Sequence, residues 1–185
     1  MAKTEMPKYE VIQTFNSIEV RRYASTIVAE VEVQGERGVA INAGFRILAA
    51  YIFGKNVPKR PIAMTSPVLQ QKGVPIAMTS PVTQIKEGLF WKVQFTMPGA
   101  YTLDTLPRPD NPMVKLRSVP GYKCAAIRFS GCWNDRNLKK YSKILTTFIE
   151  HNNLSIKSEA LYAFYNPPWT LPIFRRNEVI YILKD

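Results

Sequence analysis

Residues 27–33 read IVAEVEV. Ile27, Ala29, Val31 and Val33 fall on one face of an extended chain and Glu30 and Glu32 on the other, the alternation of a half-buried strand. Residues 91–97, WKVQFTM, repeat it with Trp91, Val93, Phe95 and Met97 inward and Lys92, Gln94 and Thr96 outward. Weaker strand patterns lie at 9–15, 17–23, 113–119, 123–129, 161–165 and 178–184. Two segments break this period of two. From Val39 to Phe53, Ile41, Phe45, Leu48 and Ile52 recur at helical spacing with Gly54 as the stop. From Arg136 to Glu150, Leu138, Tyr141, Leu145, Phe148 and Ile149 form a stripe, with Asp135 as N-cap and Lys139, Lys140 and Lys143 on the outer face. The order, roughly β-β-α-β-β-β-β-β-α-β-β, reads as a duplicated half with one helix per half. That predicts an α+β protein, an antiparallel barrel or sandwich covered by two helices.

The 185 residues suffice for a single domain spanning 1–185, with 1–8 a flexible N-terminus. Lys and Arg outnumber Asp and Glu by 25 to 14, a net charge of +11, so the surface attracts anions. The basic residues are scattered without a run of five or six, which favours a solvated surface over a specific nucleic-acid footprint. Cys124 and Cys132 are too few for a disulfide framework and have no metal-binding spacing. The N-terminal MAKTEMPKYEV has no apolar leader core, and no apolar run of about 18 residues is present. A soluble cytoplasmic protein is expected, or a periplasmic one if a signal peptide preceded Met1.

Catalytic chemistry is poorly supplied. No GxSxG, HExxH, Walker or GxGxxG pattern occurs, and the one histidine, His151, sits at the C-terminal end of the second helix, where a cation suits the helix dipole. Cys132, in SGCWND, is either poised at the second helix N-terminus or packed beneath Trp133. The chain is accordingly expected not to be an enzyme. Binding is better supplied: Tyr162, Phe164, Tyr165 and Trp169 precede Arg175 and Arg176, and aromatic area beside guanidinium groups suits a flat apolar ligand carrying carboxylates. The same combination suits stacked bases with phosphates, or a plain core edge with a polar rim.

The octapeptide PIAMTSPV occurs at 61–68 and again at 75–82. Two copies are too few and too short for a solenoid, since such arrays need three or more units. Prolines bracket each copy, which predicts two short edge strands, or one strand plus a looping copy, with Gly73 in the turn between them.

Six segments together, YEVIQTFNSIEVRRY, GFRILAAYIFGKN, IAMTSPV, WKVQFTMP with YTLDTLPRP, AAIRFSG and YNPPWTLPIFRRNEVIYIL, make the chain resemble the SOUL haem-binding protein family from about Tyr9 to Leu183. The doubled octapeptide is similar to that of bacterial-type members. The resemblance implies a distorted antiparallel β-barrel flanked by two helices, built from two βαββ halves and related to bacterial effector-binding domains. It implies non-covalent b-type haem, or another tetrapyrrole, in a shallow apolar groove along the first helix, as carrier, buffer or sensor. The alternative it leaves is a haem-independent module for a protein partner or small effector. Carried over by position, the binding residues are Asn42, Phe45, Arg46 and Ala49 on the first helix with Tyr165, Arg175 and Arg176 near the C-terminus. For an axial ligand the chain offers His151, Met64 or Met78, a tyrosine, or no protein ligand.

Overall fold

The structure is a computed structural model and describes residues 4–58, 73–167 and 169–184. Strands β1 (Tyr9–Phe15), β2 (Ile18–Tyr23) and β3 (Thr26–Gln34) precede helix α1 (Arg37–Ile52). Then come β4 (Asn56–Val57), β5 (Val82–Glu87), β6 (Phe90–Thr96), β7 (Arg108–Pro109), β8 (Lys115–Val119) and β9 (Tyr122–Phe129). Helix α2 (Asp135–His151), β10 (Leu161–Phe164) and β11 (Asn177–Ile182) follow. Among the described residues nine strands form one antiparallel sheet in the order β1-β2-β9-β11-β10-β5-β6-β3-β8, while β4 and β7 pair separately.

Counted outward from the central pair β5 and β10, the sheet is a near-palindrome: β6 matches β11, β3 matches β9, and β8 matches β2. The halves are therefore β2-β3-α1-β5-β6 and β8-β9-α2-β10-β11, and each lends its first strand to the other, β2 pairing with β9 and β8 with β3. Ala24 and Ser25 alone join β2 to β3, and Pro120 and Gly121 alone join β8 to β9. Such connections span only about 11 Å, so the sheet must curl until strands from its two ends meet. This is the expected α+β fold, a curled antiparallel half-barrel with two helices. The two connections touch back to back: a Cβ on Gly121 would stand 2.8 Å from the Tyr23 carbonyl oxygen.

Both helices cover the convex face. Helix α1 buries Ala40, Gly44, Leu48, Tyr51 and Ile52 on β3 and β6, and a Cβ at Gly44 would stand 2.7 Å from Val93 Cγ2, so the absent side chain sets how closely helix and sheet approach. Gly54 takes φ +108° just beyond the helix, as its role of stop requires. Helix α2 buries Leu138, Leu145 and Ile149 against β9 and β11. Its N-cap is Asn134, whose Oδ1 accepts from the Asn137 amide at 2.9 Å; Asp135, expected in that place, is the first helical residue.

The concave face differs from the sequence reading. Glu30 and Gln94, expected outward, are 4% and 5% exposed because the curl turns their face inside. Each exchanged strand carries an arginine to a carboxylate of the half it joins. Arg21 of β2 donates through Nη1 and Nη2 to Glu178 Oε2 and Oε1 of β11 at 2.7 and 3.0 Å. Arg117 of β8 donates through Nη2 and Nε to Glu30 Oε2 of β3 at 2.8 and 3.0 Å, and Gln94 Nε2 donates to the same oxygen at 2.6 Å. Burial alone would raise both carboxyls; the hydrogen bonds and charges of Arg21 and Arg176 at Glu178, and of Arg117 with Gln94 at Glu30, hold each below the usual glutamate value.

Three other expectations are corrected. Strand β5 was not among the expected strands, since Gln84 and Lys86 break the apolar rhythm on one side and Thr83 on the other. The second octapeptide copy is no edge strand: Thr79 makes a single parallel bridge to Glu5, and the ladder begins only at Val82. Pro75 and Pro81 supply no amide donor to extend it. The first copy lies outside the described residues. Met113 precedes β8 in a turn closed by its amide on Asn111 Oδ1 at 2.9 Å, so that strand starts at Lys115. Strand β1 is an outer strand with a bulge between Val11 and Gln13.

Two outcomes are expected from this architecture. Gly121→Ala should lose roughly 1–3 kcal/mol in urea unfolding, because the clash is with backbone; an unchanged midpoint would mean the two connections separate freely. Glu178→Gln should cost about 3–5 kcal/mol by removing the buried carboxylate that Arg21 and Arg176 share, which leaves Arg21 only Glu19. A carboxyl depressed on folding stabilises fully above its unfolded value, about 4.3, and that contribution is lost as pH falls through the lower folded value. The Gln variant should therefore show a weaker loss of stability in acid than the native chain.

Candidate functional site

Helices α1 and α2 both start over the central strands, and their first turns enclose a groove of about 580 Å³ on the convex side. Arg37, the first residue of α1, reaches across it. Its Nη1 donates to the Trp133 carbonyl at 3.3 Å and to Asp135 Oδ1 at 3.2 Å, and its Nη2 donates to Gln84 Oε1 at 3.0 Å. Its Nε is buried with no partner. The guanidinium carbon lies 5.8 Å from the Trp91 ring and 5.9 Å from the rings of Tyr162 and Phe164. Trp133 meets Phe164 edge-on at 5.3 Å, and Arg175 covers Trp133 at 4.4 Å while its Nε donates to the Thr170 carbonyl at 2.7 Å. Glu36, the N-cap of α1, makes no side-chain cap bond, so the opening amides of that helix have no capping side chain.

Gly38 also lines the groove, and stepping four, three and four residues along α1 from it gives Asn42, Phe45 and Ala49, one helical face. Asn42 and Arg46 on this side are exposed, Phe45 is 37% exposed with its ring edge-on to Phe95 at 5.3 Å, and Ala49 is half-buried. A Cβ at Gly38 would meet nothing within 4 Å. The structure thus has the four first-helix residues expected at the site on the helical face of Gly38, though none of the four lines the groove itself.

The C-terminal residues are divided. Arg175 and Arg176 are successive in an extended segment and leave it on opposite sides of the sheet. Arg175 joins Trp133 at the groove. Arg176 turns to the concave face, donates through Nη2 and Nε to Glu178 Oε1 at 2.7 and 3.0 Å, and covers the Tyr165 ring at 4.0 Å. Tyr165 donates its hydroxyl to Glu178 Oε2 at 2.8 Å, and burial with the adjacent carboxylate pushes its phenol well up. Tyr165 and Arg176 therefore belong with Arg21 in the network around Glu178, and do not meet the α1 face.

His151 ends the 17-residue α2, so about 24 Å of helix separates it from the groove. Its Nδ1 is 2.8 Å from the Thr147 carbonyl. Met78 is 42% exposed, and Met64 lies outside the described residues. Among the described residues no group of three His, Cys, Asp or Glu side chains is arranged to hold a metal ion. Cys132 is exposed at the groove rather than packed beneath Trp133, and burial pushes the Cys124 thiol up to about 12.

Sequence reasoning missed Arg37 as a site residue because the apolar stripe of the first helix starts later, at Val39. Its partners Gln84, Trp133 and Asp135 are 47, 96 and 98 residues away, so no local pattern announces it. Trp133 was noticed only as cover for Cys132.

No helix among the described residues is long and apolar enough to cross a membrane. No curated protein matches the chain in sequence. Among solved structures, the C-terminal domain of EcmrR superposes with a TM-score of 0.62 at 9% identity, covering 96% of this chain and 98% of that one. A hydrolase from Listeria innocua gives 0.59 at 14% identity, covering 91% of this chain and 92% of that one. At such identities the likeness is one of fold. The sequence model described as SOUL heme-binding protein matches residues 4–182, nearly the whole chain that builds the half-barrel and its groove. The chain belongs to the SOUL haem-binding protein family.

Proposed function

We propose that the chain binds haem or a related tetrapyrrole, without turning it over, with the ring lying along the α1 face of Asn42, Phe45 and Ala49 and its acid groups in the groove at Arg37 and Arg175. The observation that carries this is Arg37 itself: a guanidinium among three aromatic rings, at the mouth of an open groove, with one buried N–H lacking an acceptor. An unpaired buried donor is costly, and a carboxylate supplies what it lacks. The uncapped start of α1 favours the same negative charge. The volume falls in the range of about 300–1,000 Å³ common to small-ligand sites.

The residues fit the acids and the flat ring of such a group better than they fit its iron. His151 stands a helix length away, so iron coordination by that residue forms no part of the proposal. Arg46, exposed on the same helix face, would meet a ligand edge from solvent. Tyr165 and Arg176 support the site only indirectly, by holding β10 and β11 in register beneath Trp133 and Arg175.

Hemin titrated into the purified protein should produce a saturable one-to-one Soret shift. Arg37→Glu and Arg175→Glu should each weaken it about tenfold or more, the scale of one charge-assisted hydrogen bond, while His151→Ala leaves it unchanged. A non-saturable titration, or equal affinity in both glutamate variants with intact folding, would overturn the assignment. Because Arg176 is tied to Glu178, replacing it tests stability and not the groove, so the two arginines must be changed separately.

A further inference from the structure

The connection between β10 and β11 carries four large apolar side chains within six residues, and none of them is covered: Trp169 is 82% exposed, Leu171 62%, Ile173 70% and Phe174 70%. Isolated exposed apolar residues are ordinary; a contiguous group of this size marks an interaction surface. The segment is not slack. The Thr170 amide donates to the Pro167 carbonyl at 3.0 Å, and the Phe174 amide to the Leu171 carbonyl at 2.9 Å. The Gly131 amide anchors the Pro172 carbonyl from outside at 2.8 Å, and the Arg176 amide is held by Asn166 Oδ1 at 2.6 Å. A loop whose backbone is pinned at its base while its apolar side chains stand clear is a tip, not a fold-back into the core.

Positive charge stands on one side of the tip. Gly131 and Trp133, which hold its base, lead directly into the first turns of α2, where Arg136, Lys139 and Lys140 are all exposed. Asp135 and Glu36 line the groove with Arg175 at the base of the tip, and Asp135 is paired with Arg37. The chain as a whole carries +11. An apolar tip bearing a tryptophan, beside a basic helix start, matches a layer that is apolar below and negative above, the interface of an anionic bilayer. A preformed protein groove would have to be concave to the same shape, whereas lipid adapts to it.

We infer that the loop 169–174 inserts Trp169, Leu171, Ile173 and Phe174 into the interfacial layer of an anionic membrane, with Arg136, Lys139 and Lys140 on the lipid headgroups. The inference is independent of the tetrapyrrole reading, because none of these residues lines the groove at Arg37.

The test uses the full chain and vesicles of phosphatidylcholine with and without about 30 mole per cent phosphatidylserine. The protein should co-sediment with the anionic vesicles, less with the neutral ones, and less again in about 0.5 M salt. Brominated acyl chains should quench the emission of Trp169, the most exposed of the three tryptophans, and Trp169→Ser with Phe174→Ser should reduce partitioning about tenfold or more. Lys139→Glu with Lys140→Glu should weaken binding to anionic vesicles alone. No partitioning of the native chain, no quenching by bromolipid, or a loop variant that partitions like the native chain would overturn the inference. So would loop-dependent binding to an acidic protein without any binding to vesicles. Quenching of the native chain needs no substitution and decides the matter even if the loop variant is unstable; hemin titration of that variant reports on the groove separately.

Discussion

The fold depends on two arginines that cross from one half to the other. A strand lent to a neighbouring half could be held by ladder hydrogen bonds alone, but such bonds are indifferent to which strand supplies them. Arg21 and Arg117 are specific. Each arrives on a lent strand and ends on a buried carboxylate, Glu178 or Glu30, that would be strongly unfavourable without it. The pairs need not add net stability over apolar replacements of equal volume to matter. They penalise any arrangement in which β2 or β8 stays with its own half, and the curl of the sheet follows from the exchange.

That exchange also places the groove. With the halves interlocked about β5 and β10, the helices start at neighbouring points over the centre of the sheet, so two helix N-termini meet where a single βαββ half would have one. Positive ends of helix dipoles repel across such a junction. Asp135, Glu36 and the carbonyl of Trp133 offset part of this, and the guanidinium of Arg37 threads between them. The junction is thus polar, crowded with rings and short of one acceptor, a combination that disfavours a dry packed interior and favours a bound acid.

Much of the fold was legible in the residues. The alternations at 27–33 and 91–97 and the stripes of the two helices depend on neighbours in sequence, and all four stand within a residue or two of the expected bounds. Strand β5 escaped because its polar residues are satisfied by distant partners, Gln84 by Arg37 and Thr83 by Gln94, which local periodicity cannot register. Glu30 and Gln94 were assigned to the wrong environment for the same reason: alternation says which residues share a face, but only the curl says that the second face is also enclosed. At the site, Asn42, Phe45, Arg46 and Ala49 came from the family resemblance, and their spacing puts them on one helical face, whereas the parting of Arg175 from Arg176 required knowing that a sheet, with a different environment on each side, runs between them.

An open end of a sheet invites a stranger to continue it. Among the described residues strand β1 is such an end, with Val11, Ile12 and Phe15 each about two-fifths exposed. The bulge between Val11 and Gln13 shifts the register midway, so amides and carbonyls on the two sides of it fall out of step with any straight incoming strand. Glu10 adds a charge beside the first half of the edge. The irregularity that looks like a flaw in the hairpin thereby works against a second copy of the strand building on it end to end.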